Sequence, residues 1–66
     1  MQPKYPEIHV QLTGKNGNAF FILGRVTKAM LRAGLTNVEI REFREEATSG
    51  DYDHLLQTVM KYVDAF

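Results

Sequence analysis

The sequence predicts a small single-domain α+β fold over residues 1–66: one N-terminal strand followed by three helices, the third packed along the first. Three observations carry this. Ile8, Val10 and Leu12 alternate with polar residues, as in a strand with one buried face. Ala19, Ile22, Leu23, Val26, Met30 and Ala33 recur at spacings of three and four, as on one stripe of a helix. Two helix-start signals follow, Thr36-Asn37-Val38-Glu39 and Asp51.

The strand is read from Tyr5 to Thr13, with Glu7, His9, Gln11 and Thr13 on its wet face. Pro3 and Pro6 sit at its entry, where a missing N–H does no harm on an edge. Gly14-Lys15-Asn16-Gly17 is a turn. Asn-Gly between apolar runs also suits a hairpin, which would make Ala19 to Leu23 a second strand and start a helix at Arg25. Asn18 as N-cap and the long apolar stripe favour a helix from Asn18 to Gly34 instead.

That helix carries more apolar surface than a chain of 66 residues hides easily. Phe20, Gly24, Thr27 and Leu31 form a second face about 100° round from the core stripe, and Arg25, Lys28 and Arg32 form a solvated strip. A mid-helix glycine costs about 1 kcal/mol relative to alanine, so Gly24 points to a close approach by another backbone. Gly34 is placed to end the helix. In the capping box that follows, Leu35 and Ile40 are positioned as a hydrophobic staple.

The second helix, Asn37 to Thr48, offers Ile40, Phe43 and Ala47 on one side and is expected on the surface. Ser49-Gly50 stops it and Asp51 caps a third helix from Tyr52 to about Ala65. Tyr52, Leu55, Leu56, Val59, Met60, Tyr62, Val63 and Phe66 form its expected core stripe, with His54, Gln57, Thr58 and Lys61 toward water.

Composition bounds the chemistry. The apolar fraction of 44% with 24% charged residues is that of a globular chain. No run approaches the roughly 20 apolar residues of a membrane span, and MQPKYPEIHVQL lacks the pattern of a secretory signal, so no membrane association and a cytoplasmic location are expected. Cysteine is absent, which removes disulfides and thiolate ligands. Formal net charge is zero, but it is divided. Lys4, Lys15, Arg25, Lys28 and Arg32 against Glu7 leave +4 in residues 1–35. Arg41, Arg44 and Lys61 against Glu39, Glu42, Glu45, Glu46, Asp51, Asp53 and Asp64 leave −4 in the remainder. The two halves are expected to attract one another within the fold or between subunits.

No catalytic set is legible. Asp51, Asp53 and His54 cluster at a helix start, but neighbouring helical residues diverge by about 100°, and capping accounts for them better than a metal does. Ser49 lies in a helix stop, and neither His9 nor His54 has a carboxylate or nucleophile close in sequence. Gly14-Lys15-Asn16-Gly17 before a helix could bind an anion, yet it lacks the rest of a P-loop. It also matches the GXXG of a KH loop, but follows a strand where that loop follows a helix. The outer face of the third helix mixes Asp53 and Asp64 with Lys61 and suits DNA poorly.

The segments Gly17-Asn18-Ala19-Phe20, Ile22-Leu23-Gly24-Arg25-Val26 and Glu46-Ala47-Thr48-Ser49-Gly50-Asp51-Tyr52-Asp53-His54-Leu55-Leu56 resemble a group of small uncharacterised bacterial and phage proteins. The similarity runs from about Tyr5 to Val63. It implies a free-standing single-domain protein and no particular activity.

The resulting expectation is a non-enzymatic protein-interaction or regulatory module without cofactor or metal. It is expected to be a homodimer, with another protein partner as the wider possibility. Its interface would comprise Ile8, Val10, Leu12, Phe20, Gly24 and Leu31: a lone strand leaves its edge unpaired, and pairing two copies would also cover the second helix face. The alternative is a weak nucleic-acid or anion binder using Lys15, Arg25, Lys28 and Arg32.

Overall fold

The computed structural model describes residues 2–66. Strand β1 (Tyr5–Val10) is followed by helices α1 (Ala19–Arg32), α2 (Asn37–Ala47) and α3 (Tyr52–Tyr62), and a short strand β2 (Val63–Ala65) closes the order. The α+β class and the sequence of one strand and three helices are as expected. The second strand is not: α3 stops at Tyr62, and the last three residues assigned to it lie parallel to β1, with His9 opposite Asp64 and Val10 opposite Ala65.

The reason is a better set of backbone partners. Phe66 N donates to Val10 O (3.0 Å), and Phe66 O accepts from Leu12 N (2.5 Å) and Thr13 N (3.0 Å). Continued as helix, these residues would have left the inner edge of β1 unsatisfied. The expected lone strand is therefore paired within the chain. Ile8 and Val10, assigned above to a partner interface, are buried in the chain's own core, and Leu12 is half-buried.

The residues from Ala19 onward are helical, which removes the hairpin alternative. Asn18 caps α1, its side chain accepting from Phe20 N at 2.9 Å. At the other end Gly34 adopts φ +91, Leu35 N bonds Met30 O (3.1 Å) and Gly34 N bonds Leu31 O (3.1 Å). Together these make a Schellman motif, in which the left-handed glycine lets the chain fold back on two otherwise orphaned carbonyls. The capping box of α2 forms as read: Thr36 N donates to Glu39 Oε1 (2.8 Å) and Glu39 N to Thr36 Oγ1 (3.2 Å). Leu35 and Ile40 both pack against the core. Asp51 caps α3 through His54 N at 2.9 Å.

The core gathers Ile8, Val10, Ile22, Leu23, Val26, Met30, Phe43, Ala47, Leu55, Val59, Tyr62 and Val63. Phe43 is its largest fully buried side chain, so α2 is anchored in the core despite its thin apolar content. The Tyr62 ring meets Phe43 edge-on at 5.3 Å, and Tyr5 lies 6.4 Å from Tyr62 on the other side, a row that joins α2, α3 and β1. The helical contact of α3 is mainly with α2 and only slightly with α1.

Several assignments on α3 change. Thr58 is buried, its hydroxyl donating to His54 O (2.8 Å), so the hydroxyl brings no unmet polar demand into the core. Tyr52, Met60 and Phe66, expected inside, are exposed, as is Ala33 at the end of α1. Phe66 loses its core position because the chain leaves the helical path after Tyr62, whereas Met60 stays in α3 on the side away from Leu55, Val59 and Tyr62.

Replacing Phe43 removes a whole buried ring. Phe43→Ala is expected to cost about 3–5 kcal/mol in urea unfolding, against near neutrality for Phe20→Ala under monomeric conditions. Equal losses at the two positions would contradict this core.

Candidate functional site

Two places in the molecule collect functional groups. The first is polar and lies where the end of α2 meets α3. The main-chain carbonyl of Glu46 accepts from Ser49 Oγ (2.7 Å) and contacts His54 Nε2 (2.9 Å), and Ser49 Oγ lies 3.1 Å from the same nitrogen. A carbonyl cannot donate, so Nε2 carries the proton here and cannot serve as a base toward the serine. The pair caps α2. The histidine, expected toward water, is half-buried over this end, and Gly50 beneath it has no room for a side chain: a Cβ there would lie 2.8 Å from His54 Cγ.

The Glu46 carboxylate faces the other way. It accepts from Lys61 Nζ (2.7 Å) and Tyr62 Oη (3.0 Å), which hold its carboxyl below the ordinary 4.5. Burial, followed by this hydrogen bond to Glu46, pushes the Tyr62 phenol up to about 12. Glu39 is lowered in the same direction by the Thr36 main-chain N–H and then by its hydroxyl. All three groups join or cap helices.

The remaining histidine has a partner invisible in sequence: His9 Nδ1 lies 2.7 Å from Asp64 Oδ2, across the β1–β2 pair. Among the described residues, no three His, Asp or Glu side chains converge on one point.

The second place is apolar and lies on α1. Its second face has Phe20 84% exposed and Leu31 61% exposed, with Gly24 and Thr27 between them. Thr27 turns its hydroxyl onto its own helix, 2.8 Å from Leu23 O and 3.2 Å from Gly24 O, so it adds no unmet polar group to the face. Nothing lies within 4 Å of where a Gly24 Cβ would stand. The close approach expected at this glycine is not made among the described residues. Two shallow hollows flank Phe20. One, of about 240 Å³, runs along Gly24 and Thr27 to Arg44 and Thr48 on α2. The other, of about 230 Å³, reaches Tyr52 and Leu55 on α3.

The six residues assigned to a partner interface are thus divided. Phe20, Gly24 and Leu31 share the open face of α1, Ile8 and Val10 are inside, and Leu12 borders a separate hollow of about 210 Å³ with Met60 and Phe66. That hollow escaped the sequence because a helix extended to Ala65 misplaces Phe66, and because the core stripe read on α3 was broad enough to include Met60. A β-branched Val63 next to Tyr62 was the available sign of a change in structure.

Of the four basic residues, Arg25, Lys28 and Arg32 line one groove with His9 and Gln11, while Lys15 belongs to the preceding turn, where Gly14 has φ +78. That turn is occupied with itself: Lys15 N bonds Leu12 O and Asn18 N bonds Asn16 Oδ1. Among the described residues, the ion pairs are His9–Asp64 and Lys61–Glu46, and neither involves the α1 strip.

No protein family, curated protein or solved structure matches this chain.

The shifted groups set the pH response of the fold. Glu46 and Glu39 contribute stability above 4.5 that is lost as pH falls through their lowered folded values. Tyr62 contributes stability that is complete below 10.0 and lost as pH rises toward about 12. Urea midpoints across pH are expected to fall on both sides, with both limbs shallower in Glu46→Gln. Unchanged limbs in that variant would contradict the assignment.

Proposed function

We propose that this protein is a non-enzymatic interaction or regulatory module, of bacterial or phage origin, that works as a homodimer through the second face of α1. Gly24 carries the reading. It sits mid-helix at a cost of about 1 kcal/mol, is exposed, and has no neighbour in the chain that requires its missing side chain. A glycine flanked one and two turns away by exposed Phe20 and Leu31 suits a helix crossing, in which two backbones approach closely and the flanking side chains enter the partner's hollows. A two-fold axis near Gly24 would use the same patch on both copies, the commonest arrangement of soluble oligomers. The pairing of β1 with β2 covers one edge of β1, and the basic strip beside its other edge disfavours a second copy there, so the helix face is the support that remains.

The alternative is weak nucleic-acid binding through Arg25, Lys28 and Arg32, supported by three cations without an ion pair on one groove and extended by Lys15 at the turn. Binding to a DNA or RNA pool that falls steeply with salt would favour it.

Sedimentation of the wild type at micromolar concentration and above is expected to give a dimer. Gly24→Gln is expected to separate two effects of opposite sign: a monomer more stable by up to about 1 kcal/mol, and a dimer weakened by about tenfold or more. A monodisperse wild-type monomer, or a Gly24→Gln variant that dimerises as well as wild type, would overturn the reading.

A further inference from the structure

We propose that the groove between β1 and α1 binds an acidic peptide in extended conformation, added as a strand to the outer edge of β1. This site is separate from the α1 face assigned to self-association, and neither depends on the other.

The backbone provides the first half of the site. Val10 O and Leu12 N point toward β2, where they bond Phe66. Because main-chain groups alternate along a strand, His9 and Gln11 direct theirs to the opposite edge. Gln11 O already accepts from Arg25 Nε at 3.1 Å on that side, which places the guanidinium beside the edge. Since β1 and β2 form a two-stranded sheet, no strand among the described residues covers this side of β1. An exposed edge of this kind is the surface on which extended peptides add.

The side chains provide the second half. Arg25, Lys28 and Arg32 line the groove of about 330 Å³ with His9, Val10, Gln11 and Ala29. His9 is already held by Asp64, at 2.7 Å. The three α1 cations make no ion pair among the described residues, and the chain's acidic surplus lies in its second half. They span seven residues of helix, about 10 Å. Alternate side chains of an extended peptide recur at about 6.6 Å, so two carboxylates on one face of the strand fall within that span.

Charge decides between occupants. A second copy paired edge to edge would bring two basic strips together, which like charges disfavour. A single-stranded nucleic acid would satisfy the cations, but no Phe, Tyr or Trp lines the groove to stack its bases, its one ring, His9, is held by Asp64, and Phe21 lies one helical turn outside it. An acidic strand meets both the cations and the outward N–H groups.

The probe is a short end-capped peptide alternating Glu and Thr, compared with its Gln-for-Glu counterpart and with an oligothymidylate, read by fluorescence anisotropy and amide chemical shifts. The Glu peptide is expected to bind, the Gln peptide at least about tenfold more weakly, with shifts concentrated at the His9 and Gln11 amides. Lys28→Gln with Arg32→Gln, two exposed positions without hydrogen bonds in the fold, is expected to weaken the Glu peptide by about tenfold. Circular dichroism reports whether this variant is folded; if it is not, the Gln-peptide comparison on wild type decides. No binding of the Glu peptide, equal binding of the Gln peptide, tighter binding of the oligothymidylate, or shifts centred on Phe20 and Leu31 would each overturn the proposal.

Discussion

The parallel pairing of Val63–Ala65 with Tyr5–Val10 brings the first and last elements side by side, with three helices in between. Much of the architecture follows from that contact. It buries Val63 beside Ile8 and Val10 and satisfies the inner edge of β1 through Phe66. It also stops α3 at Tyr62, placing that ring between Phe43 and Tyr5. A chain this small has little apolar area to spend, so one internal sheet contact that replaces a partner's strand changes what the surface must do.

The consequence is a division of surfaces by chemistry. With Ile8 and Val10 inside, exposed apolar residues include Phe20 and Leu31 on the second face of α1 and Met60 and Phe66 around a separate hollow, while the basic strip of α1 borders the outer edge of β1. The polar cluster at Glu46 is committed to the fold: its carbonyl is capped by Ser49 and His54, and its carboxylate holds Lys61 and Tyr62. A Ser–His contact alone is no catalytic arrangement when both groups serve one carbonyl. The proposed roles therefore rest on surfaces that the fold leaves open.

Local signals were legible in the sequence where the physics is local. Asn18, the Thr36–Glu39 box, Gly34 and Asp51 mark helix boundaries because a cap needs residues only a few positions apart. The stripe Ile22, Leu23, Val26 and Met30 was readable for the same reason, and Ala33 failed because the Schellman turn begins there. What depended on distant partners was not legible. Val63 to Ala65 continued a helical pattern, and only β1, far away in sequence, offered them better bonds. The His9–Asp64 pair needed the sheet register, and Thr58, whose hydroxyl bonds its own helix at His54 O, lies inside because of how α3 packs on the core. The second face of α1 was visible as a surplus; that nothing in the chain approaches Gly24 required the packed structure.

The proposed dimer places the α1 face, and not β1, between the two copies, because one edge of β1 is already paired with β2. Isotope-filtered NOE spectroscopy on a mixture of labelled and unlabelled protein tests it most directly. Intermolecular contacts are expected from Phe20, Thr27 and Leu31, with none from Ile8 or Val10. Intermolecular contacts along β1, or none at all at concentrations where the protein is folded, would contradict it.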